Sequence, residues 1–262
     1  MTENWMVYMA RVNDEVASVS VDLALWDLAP NPQLPVIAWV FVEMKQPRPD
    51  GLPSREEAPA LGAIEDRLTE ALKPSGTVLA GIIGSAGFRE FYFYAPDEAE
   101  FRKTAEATIA VSPEYRFEVG AQPDLEWSQY LNVLYPSKSQ MRMSQNVMVL
   151  EQLKSRGDIP TEKRPIDHFV YFPAPEARDM FRKWAAGQGF AVSPSKTDTD
   201  EQFGLQLTRE DTADPDKIHE VTLQLLAQAE EFEGEYDGWG CPVVSRDKQP
   251  KRSWLDKVFK SK

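Results

Sequence analysis

Alternation of apolar and polar positions marks the first elements of the chain. Val16 to Leu25 sets small polar against apolar residues in turn, and Val36 to Met44 is an apolar run dense in β-branched and aromatic side chains, so both are predicted as strands. Trp5 to Val12 is predicted as a third. Pro47 to Pro53 holds three prolines with Asp50 and Gly51, which cannot continue a sheet ladder and must turn. Ser54, followed by Glu56 and Glu57, has the chemistry of a helix N-cap with an acidic first turn. Leu61, Ile64, Leu68 and Leu72 then recur at helical spacing until Pro74-Ser75-Gly76 stops them. Thr77 to Ile83 and Arg89 to Tyr94 read as two strands of a hairpin joined at Gly84-Ser85-Ala86-Gly87, followed by a helix from Pro96 to Thr108 and a strand from Tyr115 to Gly120.

From Val36 the order is strand, helix, strand, strand, helix, strand, the ferredoxin-like arrangement, with the two earlier strands extending its sheet. Asp124 to Tyr135 is predicted as a short helix, and Pro136-Ser137-Lys138 as the boundary before a polar helix that ends at Arg156-Gly157-Asp158. The order then repeats: a strand at Ile166 to Phe172, a helix at Pro175 to Gln188, strands at Phe190 to Ser193 and Phe203 to Thr208, a helix at Pro215 to Phe232, and a strand at Tyr236 to Val244. The expected fold class is therefore α+β, with two βαββαβ modules at 1–136 and 137–244, helices packed on one face of mainly antiparallel sheets, and a tail at 245–262. A local pattern also recurs. Arg89 to Tyr94 leads through Ala95-Pro96 to Phe101-Arg102-Lys103, as Asp167 to Phe172 leads through Ala174-Pro175 to Phe181-Arg182-Lys183. Duplication and convergence both account for it, since proline favours a first helical turn and aromatics favour strands.

Charge changes the picture of partners. The 42 acidic and 29 basic residues of the 262 give a net charge of -13, which repels nucleic-acid phosphates, so direct nucleic-acid binding is not expected. Seven of the basic residues lie between Ser245 and Lys262, where Trp254, Leu255, Val258 and Phe259 share one helical face with lysines around it. This basic amphipathic tail is expected to dock on the chain's own acidic surface, with an anionic partner or membrane surface as the alternative. Cys241 is the only cysteine, so neither an intramolecular disulfide nor a cysteine-rich zinc site can form, and a cytoplasmic setting is expected. The longest apolar stretch, Val36 to Val42, is too short to span a bilayer, and no secretion signal is read at the N-terminus.

Candidate chemistry is sparse. His168 adjoins Asp167, but neighbours on a strand point to opposite faces, so His168 is expected half-buried and hydrogen-bonded within the sheet rather than catalytic. His219 is expected at a solvated helix position. The Gly81, Gly84 and Gly87 series precedes a strand, whereas a phosphate-cradling loop opens a helix. Asp198, Asp200 and Glu201 lack the remaining spacing of a calcium loop and read as a solvated turn. No catalytic residue, metal site or cofactor is expected. The segment Glu230 to Gly240 stands apart: Gly234 suits a helix C-cap and Asp237-Gly238 a bulge, while its carboxylates, interleaved with Tyr236 and Trp239, also suit a surface that docks a basic, aromatic-rich partner. Glu233, Glu235, Tyr236, Asp237 and Trp239 are the candidate contacts, with packing as the competing role of the two aromatics.

Two resemblances follow from these residues. Leu153, Gly157-Asp158, Arg164, Ile166 to Phe172, Gly189-Phe190 and Gly234-Glu235-Tyr236-Asp237-Gly238-Trp239 resemble the regulator of ribonuclease activity B family, over about Ser139 to Val244. That resemblance implies a ferredoxin-like sandwich that acts by binding and inhibiting an endoribonuclease, RNase E, without catalysis of its own. Val21-Asp22-Leu23, Asp50 to Pro53, Glu65 to Leu68, Arg89 to Tyr94, Asp124 to Tyr130 and Leu134-Tyr135-Pro136 are similar to an uncharacterised bacterial family, domain of unknown function six-nine-five, which implies no function. The expectation is a non-catalytic regulatory or adaptor protein that binds a protein partner. The alternative is a small-molecule-binding protein or enzyme with a pocket between the modules, lined by Trp26, Trp39, Tyr92, Tyr94, His168 or Tyr171.

Overall fold

The computed structural model describes residues 2–194 and 203–245. The expected turn at Asp198, Asp200 and Glu201 and the docking of the basic tail lie outside the described residues. The chain divides into two compact units, 1–141 and 142–262.

In the first unit β1 (Trp5–Val12) and β2 (Glu15–Asp22) form a hairpin, and a short 3-10 turn follows at Leu23–Asp27. Then come β3 (Val36–Glu43), α1 (Ala58–Leu72), β4 (Val78–Ser85), β5 (Phe88–Ala95), α2 (Glu98–Ile109) and β6 (Phe117–Pro123). The strands lie in the order β1-β2-β4-β5-β3-β6, every neighbouring pair antiparallel. Removing β1 and β2 leaves β6-β3-β5-β4, the ferredoxin-like order, and the two extra strands extend the sheet beyond β4 as expected. The β4–β5 turn is Ala86-Gly87, both at positive φ, so Ala86 rather than Gly84 shares the left-handed pair.

Strand alternation gives this sheet two buried faces. Val36, Ala38, Val40 and Val42 of β3 meet Leu61, Ile64, Leu68 and Leu72 of α1 and Phe101, Ala105 and Ile109 of α2. On the other face Val19, Val21, Ile37, Ile83, Tyr92 and Tyr94 pack under Leu25, Leu34, Trp127, Tyr130 and Leu134. The cover on that second face is mostly not α-helical: 124–135 contributes one π-helical turn at Tyr130–Leu134, closed by the Tyr135 N–H donating to the Tyr130 carbonyl at 2.8 Å. Helical periodicity alone does not foresee this layer. Glu57, read as part of an acidic first turn, is instead buried, and its carboxylate accepts from the Lys45 and Gln46 N–H groups at 2.8 Å each.

The second unit holds most of α3 (Lys138–Ser155), then β7 (Lys163–Phe172), α4 (Pro175–Gly187), β8 (Ala191–Pro194), β9 (Phe203–Thr212), α5 (Pro215–Glu231) and β10 (Glu235–Gly240). Its order, β10-β7-β9-β8, is again ferredoxin-like and antiparallel. Val170, Phe172, Leu205, Leu207 and Tyr236 of the sheet pack against Phe181 and Ala185 of α4 and Val221, Leu225 and Ala229 of α5. The recurring aromatic-strand pattern falls on β5 and α2 in the first unit but on β7 and α4 in the second. Those are the third strand and second helix of one βαββαβ order and the first strand and first helix of the other. The repeat is thus not a module copied in register. Both patterns bury their phenylalanine, Phe101 and Phe181, because each opens the same strand-to-helix crossing.

Candidate functional site

The site is built where α5 hands the chain to β10. Apolar residues Ile218, Val221, Leu225, Leu226 and Ala229 fix the buried side of α5, and the helix ends when Phe232 leaves helical geometry. Gly234 N–H donates to the Ala229 carbonyl at 2.7 Å and Glu233 N–H to the Glu230 carbonyl at 3.0 Å, a Schellman end. The left-handed residue in it is Glu233, at φ 57, and not Gly234. Gly234 is needed for space: a Cβ there would sit 2.3 Å from Phe172 Cε1. Along β10 the register with β7 shifts between Tyr236 and Gly238, so Asp237 bulges out, as the Asp-Gly pair suggests.

This geometry sorts the predicted contacts into two groups. Glu233, Glu235 and Asp237 are exposed, as are Glu230 and Glu231 beside them. Tyr236 and Trp239 are buried and serve the core. Tyr236 Oη and His168 Nδ1 share a hydrogen bond of 2.8 Å. His168 is fully rather than half buried; desolvation, reinforced by Arg209, lowers its pKa to about 3, so the ring is neutral. Burial likewise pushes the Tyr236 hydroxyl well above its ordinary range. Arg142 of α3 lies over the Tyr236 ring at 4.6 Å and donates to the Tyr236 and Asp237 carbonyls at 2.7 and 3.0 Å, holding the bulge from behind.

Trp239 carries a second tie. Its indole N–H donates to Asn146 Oδ1 at 2.8 Å, and because indole nitrogen only donates, the amide orientation is fixed. Asn146 Nδ2 then faces Thr222 Oγ1 at 2.7 Å and His219 Nδ1 at 3.2 Å, while Thr222 donates on to the Ile218 carbonyl at 2.8 Å. His219 is therefore not a solvated helix residue: α3 packs on α5 and makes its ring an acceptor in a network around the fully buried Asn146. Sequence reading missed Asn146, whose one signal is a polar residue with apolar partners, Val149, Leu150 and Leu153, in the following turns of α3.

Where the chain leaves β10, Arg164 and Asp158 form a buried ion pair. Arg164 also donates to the Ile159 and Glu162 carbonyls. Asp158 accepts from the Val244 N–H at 2.7 Å, and Ile159 N–H donates to the Val244 carbonyl at 2.8 Å. The chain leaving β10 is thereby fastened to the loop entering β7.

The aromatic residues of the alternative pocket have specific duties. Tyr94 stacks on Trp127 at 3.9 Å and donates to Asp124 at 2.7 Å; Trp26 packs on Tyr135; Tyr92 donates to Glu90 at 2.7 Å; the Trp39 indole lies over Gly120, where a Cβ would meet it at 2.1 Å. Tyr94 and His168 are each enclosed in their own unit's core. Tyr171 lies opposite Glu235 in the β7–β10 ladder. Among the described residues no group of His, Cys, Asp or Glu has metal-holding geometry, and no helix is long and apolar enough to cross a membrane.

A family of unknown function, DUF695, matches residues 3–135. The chain belongs to that family. Beyond its DUF695 part, residues 144–241 match the family described as Regulator of ribonuclease activity B. No curated protein matches the chain. Among solved structures, a candidate glycine cleavage system transcriptional repressor is similar at 8% identity and a TM-score of 0.26, and an unknown protein from Galdieria sulphuraria at 11% and 0.20. Each comparison covers 80% of this chain and 98% of the other.

Proposed function

We propose that the chain is a non-catalytic regulatory or adaptor protein whose second unit binds a basic protein partner through the carboxylates flanking β10. The observation that carries this reading is the match of 144–241 to a regulator family, falling on a unit where Glu233, Glu235 and Asp237 project from a tightly fixed frame. The polar groups best suited to chemistry support it further, because His168, Asn146, Thr222, Asp158 and Arg164 are all taken up in internal bonds. The partner class is an endoribonuclease of RNase E type, and the compartment is the cytoplasm. Acidic steering makes association fast and salt-sensitive. Binding of the full chain to immobilised RNase E at low salt tests the target, and complete lack of retention removes it. Replacing Glu233 and Glu235 with Gln and Asp237 with Asn together is expected to weaken binding about tenfold, chiefly through slower association. Unchanged affinity removes the surface.

A further inference from the structure

The first unit carries a concave feature at the far end of its sheet from β1. Phe41, Glu43, Phe88, Arg116, Phe117 and Glu118 line a cavity of about 210 Å³ where β3, β5 and edge strand β6 end together. Sheet register explains the grouping: Phe41 lies opposite Glu118 on β6, and Glu43 opposite Phe88 on β5. Phe88 is 42% exposed, which leaves its ring open on the face of Phe41 and Glu118, while Phe117 lies opposite Val42 and belongs to the other face. Of the two carboxylates, Glu43 is paired with Arg116 at 3.7 Å, whereas the exposed Glu118 carboxylate has no hydrogen bond or ion pair among the described residues. Arg116 is itself 89% exposed, so its hold on Glu43 is weak.

We infer that this pocket receives an arginine side chain from a protein partner. Phe41 and Phe88 supply π-faces for a planar cation on the sheet face they share with Glu43 and Glu118, and Glu118 supplies the carboxylate that a guanidinium fork engages. The volume suits a group the size of one side chain and is smaller than the roughly 300–1,000 Å³ that drug-sized ligands fill. Charge agrees: the chain carries -13, and a basic segment is drawn to it. Arg116 stands at the rim as an internal competitor for Glu43. The inference is independent of the surface proposed in the second unit.

The test is fluorescence anisotropy of the full chain with a labelled acetyl-Gly-Arg-Arg-Gly-amide peptide, beside an analogue in which neutral citrulline replaces each arginine. The arginine peptide binds and the citrulline peptide does not. Glu118→Gln and Phe88→Ala each weaken binding about tenfold, Arg116→Ala tightens it about threefold, and the combined neutral replacement of Glu233, Glu235 and Asp237 leaves it unchanged. All three pocket substitutions are at exposed positions, and Gln keeps the shape of Glu, so folding is retained. Equal binding of the citrulline peptide, indifference to Glu118→Gln and Phe88→Ala, or weaker binding in Arg116→Ala each overturns the assignment, the last by pointing to an anion.

Discussion

The two units share one strand order and fasten their extra segments by different means. In the first, the segment after β6 is held by aromatic side chains reaching backbone carbonyls: Trp127 Nε1 donates to Leu34 at 3.0 Å, Tyr130 Oη to Asp22 at 2.8 Å, and Tyr8 Oη to Leu134 at 2.8 Å. In the second, α3 and the chain after β10 are held by an amide network at Asn146 and a buried ion pair at Arg164. The aromatic ties add apolar area to a core as they satisfy carbonyls, whereas the charged tie depends wholly on both partners being present. The difference teaches why the two halves resemble two families. Asp124, Trp127, Tyr130 and Leu134 on one side, and Asp158, Arg164, His168, Gly234 and Trp239 on the other, carry the resemblances and do the fastening. Two of the exposed carboxylates proposed to meet a partner, Glu235 and Asp237, stand within the same run as Gly234, Tyr236 and Trp239.

The comparison breaks most sharply at the ion pair. Arg164→Met leaves Asp158 buried without its cation and is expected to cost about 3–5 kcal/mol. Hydrogen exchange of β7 and β10 amides should rise while that of β3 and β5 amides stays fixed; equal loss in both sheets would mean the units do not unfold separately. Acid offers the next contrast. His168, with its pKa lowered to about 3 from an unfolded 6.5, contributes stability that is complete above pH 6.5 and is lost as pH falls from there toward 3. At pH 5 the second unit should be weaker by about 2 kcal/mol, and His168→Gln should flatten that slope in urea titrations. The first unit has no histidine. There burial raises Glu65 and Glu90, which favours the fold at low pH and is lost as pH rises through their folded values. Burial also pushes Asp124 up, but hydrogen bonds from the Gln129 N–H, Tyr94 hydroxyl and Ser128 N–H outweigh it and leave the carboxyl low. That contribution is lost as pH falls, so it opposes the other two. Trp127→Phe keeps most of the stack on Tyr94 but strands the Leu34 carbonyl, for a loss of about 2 kcal/mol read from β4 and β5 exchange. The smallest effect is a gain: Glu233→Gly places glycine in the left-handed position and should stabilise the second unit by about 1 kcal/mol in thermal melts.

Strand alternation and helix spacing made both strand orders legible, because each element's apolar face repeats locally. Tyr236 and Trp239 showed their dual character in the sequence, and burial decides it for packing. The less legible features all depend on distant partners. Nothing near Asn146 announces Trp239, 93 residues on. Nothing near Ser54 to Glu57 says that the Glu57 carboxylate turns back to Lys45 and Gln46. The place of Gly234 after Phe232 suggests a helix-ending glycine. The aromatic ring that excludes a side chain there, Phe172, is on another strand, and the positive φ passed to Glu233. The pocket at Phe41, Phe88 and Phe117 needs three strands in register before it exists.

Arg142 and Val244 lie just outside the 144–241 match, yet both bond into the second unit. A fragment trimmed to that match would keep its βαββαβ elements but strip the guanidinium from the Tyr236 and Asp237 carbonyls and the backbone partner from Ile159. A piece meant to stand alone must start at Lys138 and run to Ser245, so that α3 brings its arginine and the chain after β10 reaches its clasp.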